Sequence, residues 1–264
     1  MISKWKVKKI MKAVVTGASS GIGYEIAKQL SEKGYDIIAV ARDEKRLNDL
    51  KEKCKTNVDI YKVDLSDMHQ LLNFCEEVEQ EDIEILVNNA GFGAFGEFEK
   101  IDLETGIKMI DVNIKALHIL TYKFLDKMKE KNRGYILNIG SVAGFMPGPL
   151  MSEYYATKAY VLRLTQSINK ELRKSKSKVN VCVCCPGPVD TNFNNVANVK
   201  FSLRAKTSDF VARKAIKGMF KKKEIICPGW SEKVIKISRK LFSDKLLAEI
   251  AYYVQSKKRG KEKR

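Results

Sequence analysis

Residues 12–34, KAVVTGASSGIGYEIAKQLSEKG, contain the pattern that decides the fold. The apolar run at 12–17 predicts a short strand that ends at a glycine. The segment at 21–34 has the apolar spacing of an amphipathic helix and closes on Gly34. A strand, a glycine-rich loop and a helix therefore follow one another at the start of the chain, as in the first unit of an α/β fold.

The loop between them, TGASSGIG at 16–23, carries Gly17, Gly21 and Gly23. Glycines in such a loop let backbone N–H groups and the helix N-terminus face an anion, and Gly23 permits close packing of the helix on the strand. The spacing differs from the common G-x-G-x-x-G. No Lys-Ser/Thr pair follows the last glycine, which excludes a P-loop. We predict that the loop binds a phosphate.

Strand and helix patterns continue to alternate along the chain. Further strands are predicted at 35–42, 58–65, 83–91, 134–141, 178–187 and 224–229, and helices up to about residue 54 and at 67–80, 103–131 and 152–174. Such apolar strands, separated by helices, predict a parallel sheet covered on both faces. Right-handed crossovers then give a Rossmann-type, doubly wound α/β fold of about seven strands. We expect a single domain over residues 1–264, with residues 1–10 as a dispensable extension.

Composition and length set the broad class. The chain has 264 residues, of which 44% are apolar, enough for a sizeable core. No apolar run reaches the roughly 18 residues of a membrane-spanning helix. The basic N-terminus lacks the apolar stretch of a secretory signal, so a cytoplasmic location is expected. The spacing of the six cysteines and the presence of only two histidines favour buried, reduced thiols over a metal site.

The positive charge is concentrated at the C-terminal end. Residues 200–264 hold 20 Lys/Arg and 6 Asp/Glu, a net +14 of the total +17. Such a region attracts anionic membrane surfaces, nucleic acids or anionic substrates, but a lysine-rich solvated surface explains it equally well. No DNA- or RNA-binding module is recognisable there, so no nucleic-acid partner is predicted.

The end of the second predicted strand, AVARDEKR, bears on the choice of cofactor. An acidic residue at this place usually binds the ribose 2′-hydroxyl and selects NAD. Here Ala41 and Arg42 stand instead, and a guanidinium can bind a 2′-phosphate with two hydrogen bonds. The sequence therefore favours NADP(H). Asp64 after the third strand and 88–91 after the fourth lie at strand ends where ligands bind in such sheets.

The segment SEYYATKAY at 152–160 raises the question of a catalytic tyrosine. Residues four apart share a helix face, so Tyr154 pairs with Lys158, whereas Tyr155 would pair with an alanine. A free phenol has a pKa of about 10 and needs a nearby positive charge to act as an acid–base group near neutrality. Ser141, at the end of the fifth strand, is expected across the same cleft, where its hydroxyl could bind a carbonyl oxygen.

TGASSGIG, NNAG, Ser141, Y-x-x-x-K and PGPV-x-T, in this order over about residues 11–195, resemble the classical short-chain dehydrogenase/reductase (SDR) family. The resemblance implies that Tyr154 exchanges a proton with the substrate oxygen, that Lys158 lowers the pKa of Tyr154 and binds the nicotinamide ribose, and that Ser141 polarises the carbonyl. It also implies that Asn113 holds a water in a proton relay. The cofactor-binding positions that follow from the loop, the strand ends and the resemblance are Gly17, Ser19, Ser20, Gly21, Ile22, Gly23, Arg42, Asp64, Leu65, Asn89, Ala90, Gly91, Tyr154, Lys158, Pro186, Gly187, Val189 and Thr191.

We therefore predict an NADPH-dependent carbonyl reductase, reversible as an alcohol dehydrogenase, that acts on an apolar ketone or aldehyde such as a 3-oxoacyl compound or a steroid. A homo-oligomer, dimer or tetramer, is expected. The alternative is a non-catalytic NADP-binding sensor or a protein that associates with a membrane surface. Residues 190–206 are interpreted as a substrate lid or a plain surface loop. Within the C-terminal region, which we take as residues 190–264, the basic amphipathic sequence at 227–264 either covers the cleft or lies on an anionic membrane.

Overall fold

The computed structural model of the protein describes residues 11–191 and 205–257. The strands are β1 Lys12–Thr16, β2 Asp36–Ala41, β3 Val58–Lys62, β4 Ile83–Asn88, β5 Tyr135–Ile139, β6 Asn180–Cys184, β7 Val189–Asp190, β8 Lys206–Thr207 and β9 Ile225–Ile226. Seven of them form one sheet in the order β3-β2-β1-β4-β5-β6-β9, and every neighbouring pair is parallel. The predicted Rossmann-type sheet is confirmed, including the seventh strand at its edge.

Helices cover both faces of this sheet. They are α1 Gly21–Ser31, α2 Glu44–Lys53, α3 Met68–Glu77, α4 Leu103–Ile110, α5 Leu117–Glu130, α6 Ser152–Lys174, α7 Ser208–Phe220, α8 Trp230–Leu241 and α9 Asp244–Ser256. Side chains alternate between the faces with the period of a strand: Ala13 and Val15 pack in one core cluster and Val14 in the other. The strand order reverses between β1 and β4, and ligands bind in the crevice at such a reversal.

Three features differ from the sequence-based expectation. The predicted helix 103–131 is divided by a π-helical segment, Asp111–Ala116, that joins α4 to α5. Helix α7 was not predicted from the sequence. Its residues Val211, Ala215 and Met219 are fully buried in the core. The apolar spacing near the C-terminus reads as one amphipathic segment, but the chain breaks it after α8 and begins α9 with Ser243 as its N-cap.

The proposed extension at 1–10 lies outside the described residues, as does most of the proposed lid at 190–206. What the structure does describe is the stem of that segment, where β7 and β8 form a separate parallel pair. Within the described ranges, no helix combines the length and the apolar character needed to cross a bilayer.

Candidate active site

A cavity of about 960 Å³ opens at the carboxyl ends of the strands. It brings together nearly all of the residues that the sequence singled out. The predicted residues that line it are Gly17, Ser19, Ser20, Gly21, Ile22, Arg42, Asp64, Leu65, Asn89, Ala90, Gly91, Ser141, Tyr154, Lys158, Pro186, Gly187, Val189 and Thr191. Gly23 and Asn113 do not line it, and each supports a residue that does.

The glycine loop has the geometry of an anion site. Gly17 and Gly21 have φ angles of 64° and 59°, which side chains rarely adopt. A Cβ on Gly23 would collide with the Gly17 carbonyl and the Asn89 side chain, so the third glycine allows α1 to approach the loop. Ser20 precedes α1 without capping it through its side chain. The first N–H groups of α1 therefore face the cavity without a side-chain cap, and a dinucleotide phosphate fits there.

Asn89, which directly follows β4, holds the glycine loop in place by hydrogen bonds. Its side-chain nitrogen donates to the carbonyls of Thr16 (2.9 Å) and Gly17 (3.2 Å). In return, the Thr16 hydroxyl accepts from the backbone N–H groups of Asn89 (3.0 Å) and Ala90 (3.1 Å). Both donors of the Asn89 amide are thus used within the protein, and its contribution is to hold the phosphate loop in place.

Ser141 and Tyr154 meet across the cavity, joined by a side-chain hydrogen bond. Ser141 ends the strand segment and begins a 3₁₀ helix, Val142–Phe145, where its Oγ accepts from Ala143 N at 3.1 Å. A Cβ on Gly144 would collide with the backbone of Lys158, so this short helix packs directly on α6. That close contact sets the distance between the serine and the tyrosine.

Lys158 is buried one turn after Tyr154. Its Nζ lies 5.8 Å from the centre of the Tyr154 ring and donates to the carbonyl of Ile139 at 2.9 Å. The pair predicted from helical spacing therefore shares one side of α6, at the base of the cavity.

Burial shifts the pKa of both residues of this pair. Burial raises the pKa of Tyr154 to about 12, although the hydrogen bond with Ser141 opposes the shift. Burial lowers the pKa of Lys158 to about 8. In the protein by itself, desolvation thus outweighs the hydrogen bond with Ser141, and the lowering of this pKa by Lys158 together with a bound cofactor stays a prediction. An additional positive charge in the cavity is needed to make the phenol acidic near neutrality.

Asn113 lies behind the site, in the π-helical segment. Its Nδ2 donates to the Phe92 carbonyl (2.9 Å) and to the Thr157 hydroxyl (3.1 Å), and its Oδ1 accepts from Phe92 N (3.1 Å). A Cβ on Gly91 would lie 2.8 Å from that oxygen. The amide therefore ties the segment after β4 to α6, and only its oxygen keeps capacity for a water.

Tyr155 has a different partner from its neighbour. Its hydroxyl accepts a hydrogen bond from Gln255 Nε2, on α9, at 2.8 Å. We call α8 and α9 with their linker, residues 230–257, the C-terminal tail. Besides Gln255, the tail contributes Ile235, Ile250 and Val254 to the cavity wall. These contacts place the tail at the cavity wall, and that it covers the cleft stays a prediction.

At the far end of the cavity, Arg42 is exposed, with its Nη1 3.9 Å from Asp64 Oδ2. Asp64 also accepts from the Ser66 hydroxyl at 2.7 Å. Asp43 is the nearest alternative acidic residue, but its carboxylate caps α2 through Arg46 N (3.1 Å) and pairs with Arg46 Nε (3.3 Å). Two guanidinium groups, Arg42 and Arg46, therefore line this end of the cavity.

A profile of short-chain dehydrogenases matches residues 11–200. The chain belongs to the short-chain dehydrogenase/reductase family. It is an oxidoreductase of alcohol and carbonyl groups, and its family uses a nicotinamide cofactor. SDR enzymes bind small-molecule substrates and commonly form oligomers.

Three proteins illustrate what this chain is similar to. An NADP-dependent 3-hydroxy acid dehydrogenase of Escherichia coli is 35% identical over 190 residues, which cover 70% of this chain and 76% of the relative. A Sphingobium yanoikuyae short-chain dehydrogenase solved with NADPH superposes with a TM-score of 0.79 at 30% identity, over 88% of this chain and 94% of the other. A bulky-bulky ketone specific alcohol dehydrogenase of Comamonas testosteroni gives 0.77 at 28% identity, with 90% and 94% covered.

Sequence reasoning missed three parts of the site. Asn88 donates to Thr121 (3.0 Å) and Asn138 (2.9 Å), which form a buried polar chain beneath the cavity. Asparagines within apolar strand sequences were the available signal. Arg46 was missed, and so was Glu232 in α8. Glu232 is fully buried, pairs with Lys206 and accepts from Gly187 N at 3.1 Å, which no local pattern reveals.

Proposed function

We propose that the protein is an NADPH-dependent carbonyl reductase, reversible as a secondary alcohol dehydrogenase, for apolar ketones or aldehydes. The observation that carries this proposal is the hydrogen bond between Ser141 and Tyr154 at the cavity, with the buried amine of Lys158 one helical turn away. Two hydroxyl groups that meet in a cavity can bind one carbonyl oxygen between them. One of them can then deliver a proton.

The proposed roles follow from these positions. Ser141 Oγ accepts from the backbone of Ala143, which leaves its hydrogen for the substrate oxygen. Tyr154 transfers its proton to that oxygen during reduction and recovers it during oxidation. NADPH, when bound, supplies the hydride to the carbonyl carbon and, once oxidised, a positive charge that stabilises the phenolate. Lys158 adds its own charge from the base of the cavity, and Asn113 holds the adjoining segment in place.

The arginines at the far end support NADPH over NADH. A 2′-phosphate between Arg42 and Arg46 would gain charge-assisted hydrogen bonds. Asp43, which could have bound a ribose 2′-hydroxyl, already caps α2 and pairs with Arg46. The NADPH complex of the Sphingobium relative is consistent with this choice.

The substrate end of the cavity supports an apolar compound. Met146, Met151, Tyr155, Ile235, Ile250 and Val254 line it. Large flexible and aromatic side chains of this kind enclose acyl chains or fused rings by apolar contact. The Comamonas relative acts on bulky ketones, and the Escherichia coli relative on 3-hydroxy acids. This wall favours the bulkier, less polar class, and a dimer or tetramer remains our expectation for the assembly.

A panel of carbonyl compounds tests the proposal. The purified protein is mixed with NADPH and with ketones, aldehydes, 3-oxoacyl thioesters or oxosteroids, and NADPH oxidation is recorded. We expect turnover with at least one bulky apolar carbonyl and a clear preference over short-chain ketones. Turnover only with small polar carbonyls would contradict the proposed substrate class.

The second candidate is a non-catalytic NADP-binding sensor, favoured by the exposed apolar and basic tail. It requires tight NADPH binding without oxidation of the cofactor across the whole panel. Calorimetric titration of NADPH beside the turnover assay separates the two functions. The hydrogen-bonded serine and tyrosine favour the enzyme.

A further inference from the structure

Helix α8 exposes an apolar stripe to solvent. Trp230, Val234, Ile237 and Leu241 repeat at intervals of four, three and four residues, so they lie along one side of the helix. Their exposed fractions are 79%, 42%, 55% and 72%. Glu232 and Ile235, which face the body of the protein, lie on the other side. The stripe therefore points away from the fold that α8 packs on.

Helix α9 also exposes apolar side chains. Phe242 in the linker and Leu246, Ile250 and Tyr253 at helical spacing are all exposed, while Leu247, Ala251 and Gln255 face inward. We call these exposed apolar residues of α8, the linker and α9 the tail face: Trp230, Val234, Ile237, Leu241, Phe242, Leu246, Ile250 and Tyr253. Exposed apolar residues gathered in this number on two successive helices are typical of a surface that meets another molecule or a membrane.

The charges beside this face decide which occupant fits best. Lys233, Lys236 and Lys240 follow one flank of the stripe, and the tail carries six Lys/Arg against three Asp/Glu, of which Glu232 is buried. The sequence after residue 257 adds five Lys/Arg and one glutamate. A second copy of this chain would place like charges against one another, whereas an anionic lipid surface neutralises them. Lysines beside apolar residues and an exposed tryptophan are typical of helices at the lipid–water interface.

We propose that the tail face docks on anionic lipid membrane with α8 and α9 lying in the interface. The docking does not depend on the proposed reaction. Its consequence for the site does, because Ile250 belongs both to the tail face and to the cavity wall, and Val254 beside it is also exposed and lines the cavity. A docked tail therefore brings the mouth of the cavity to the lipid, from which an apolar carbonyl compound enters directly.

The test is binding of the full chain to vesicles of phosphatidylcholine alone and of phosphatidylcholine mixed with phosphatidylglycerol, measured by co-sedimentation. The test variant is Ile237→Ser/Leu241→Ser. The matched control is Leu103→Ser/Ile107→Ser on α4, whose members are also an exposed pair four residues apart, with exposed fractions of 77% and 50%. None of the four residues lines the cavity.

We expect wild type and the α4 control to bind the anionic vesicles, and the tail variant to bind at least about tenfold more weakly. High salt should weaken binding, and vesicles of phosphatidylcholine alone should bind least. Equal binding of the two double variants, no binding of wild type, or salt-independent binding would overturn the proposal. So would loss of a dimer or tetramer in the tail variant alone, because the tail face would then be a subunit interface.

Trp230 gives a second, direct readout. The sequence contains two tryptophans, so Trp5→Phe leaves Trp230 as the single reporter on the stripe. Its emission should shift to the blue on anionic vesicles and stay unchanged with phosphatidylcholine alone. An unshifted emission during co-sedimentation would mean that another surface binds, which also overturns the proposal. Neither readout uses turnover. A protein that docks on lipid without reducing any carbonyl would therefore contradict only the proposed reaction, and an active enzyme that does not dock would contradict only the docking.

Discussion

The sheet region, by which we mean the parallel sheet with the helices that cover it, differs from the C-terminal tail in how completely its side chains are buried. The inner strands of the parallel sheet are almost entirely buried, and the Asn88 side chain is hydrogen-bonded to Thr121 and Asn138 beneath the cavity. Helix α8, in contrast, buries one residue of twelve, and that residue is the charged Glu232. The family profile likewise ends at residue 200, before the tail begins. We propose that the reaction takes place in the densely packed sheet region and that the more exposed tail contacts substrates and surfaces.

A large effect on cofactor binding is expected from a substitution at the cofactor end of the sheet region. Arg42→Ala removes one of the two guanidinium groups there and should weaken NADPH binding about 10- to 100-fold, because a charge-assisted pair with phosphate contributes about 1.5–3 kcal/mol. Binding of NADH should change less than about threefold. Titration calorimetry with both cofactors measures the difference.

Arg213→Ala is the matched control for Arg42, since Arg213 is also exposed and paired with a carboxylate, Asp209, at 2.9 Å. It should leave both affinities unchanged. An equal loss of NADPH and NADH in Arg42→Ala would mean that the 2′-phosphate binds elsewhere.

In the sheet region, the burial of the charged Lys158 lowers the stability of the fold. The shift of its pKa from 10.5 to about 8 corresponds to about 3 kcal/mol, of which the bond to Ile139 returns about 1 kcal/mol. Lys158→Met should therefore raise the free energy of unfolding by about 2 kcal/mol at pH 7 while abolishing turnover. Because the folded pKa is the lower one, the gain is full below pH 8 and disappears as the pH approaches 10.5.

Denaturant unfolding at several pH values measures this gain. Lys127→Met, at an exposed lysine of α5, should change stability by less than about 0.5 kcal/mol at every pH. A destabilised Lys158→Met protein at pH 7 would show that the lysine is part of the packing and not a residue kept for function.

Glu232 lies in the tail and contacts the sheet region. We therefore expect its replacement to have a smaller effect, on both stability and cofactor binding. Burial pushes its pKa upward, but the hydrogen bonds from Lys206, Gly187 and Ser231 outweigh this and lower it. Glu232→Gln keeps the shape and removes the charge, and should cost about 1 kcal/mol of stability. The cost is present above pH 4.5 and should vanish as acid protonates the wild-type carboxylate.

Thermal unfolding from pH 3 to 8 follows this difference, with the exposed Glu79→Gln as the control that should show none. A pH-independent difference would mean that Glu232 contributes through packing alone. NADPH affinity should fall a few-fold in the same variant, because Glu232 binds the backbone of Gly187 at the cavity.

The sequence predicts the sheet region well and the tail poorly, for physical reasons. Short apolar strands that end in glycine or asparagine follow from local patterns, and the spacing of Tyr154 and Lys158 follows from the helix. The partners of Tyr155 and Gly187, which are Gln255 and Glu232, lie 100 and 45 residues away. Such contacts depend on tertiary packing. The burial that raises the pKa of Tyr154 in the protein by itself cannot be read from a motif.

Tyr154 and Tyr155 offer the most direct test, since adjacent phenols face the two regions. Tyr154 is hydrogen-bonded to Ser141 in the sheet region, and Tyr155 is hydrogen-bonded to Gln255 in the tail. The measurement is kcat of Tyr154→Phe and Tyr155→Phe with NADPH and the best carbonyl of the panel, beside the NADPH affinity of each. We predict that Tyr154→Phe lowers kcat at least about a thousandfold with unchanged affinity, and that Tyr155→Phe mainly alters KM. Comparable kcat values for the two variants would contradict the assignment of proton transfer to Tyr154.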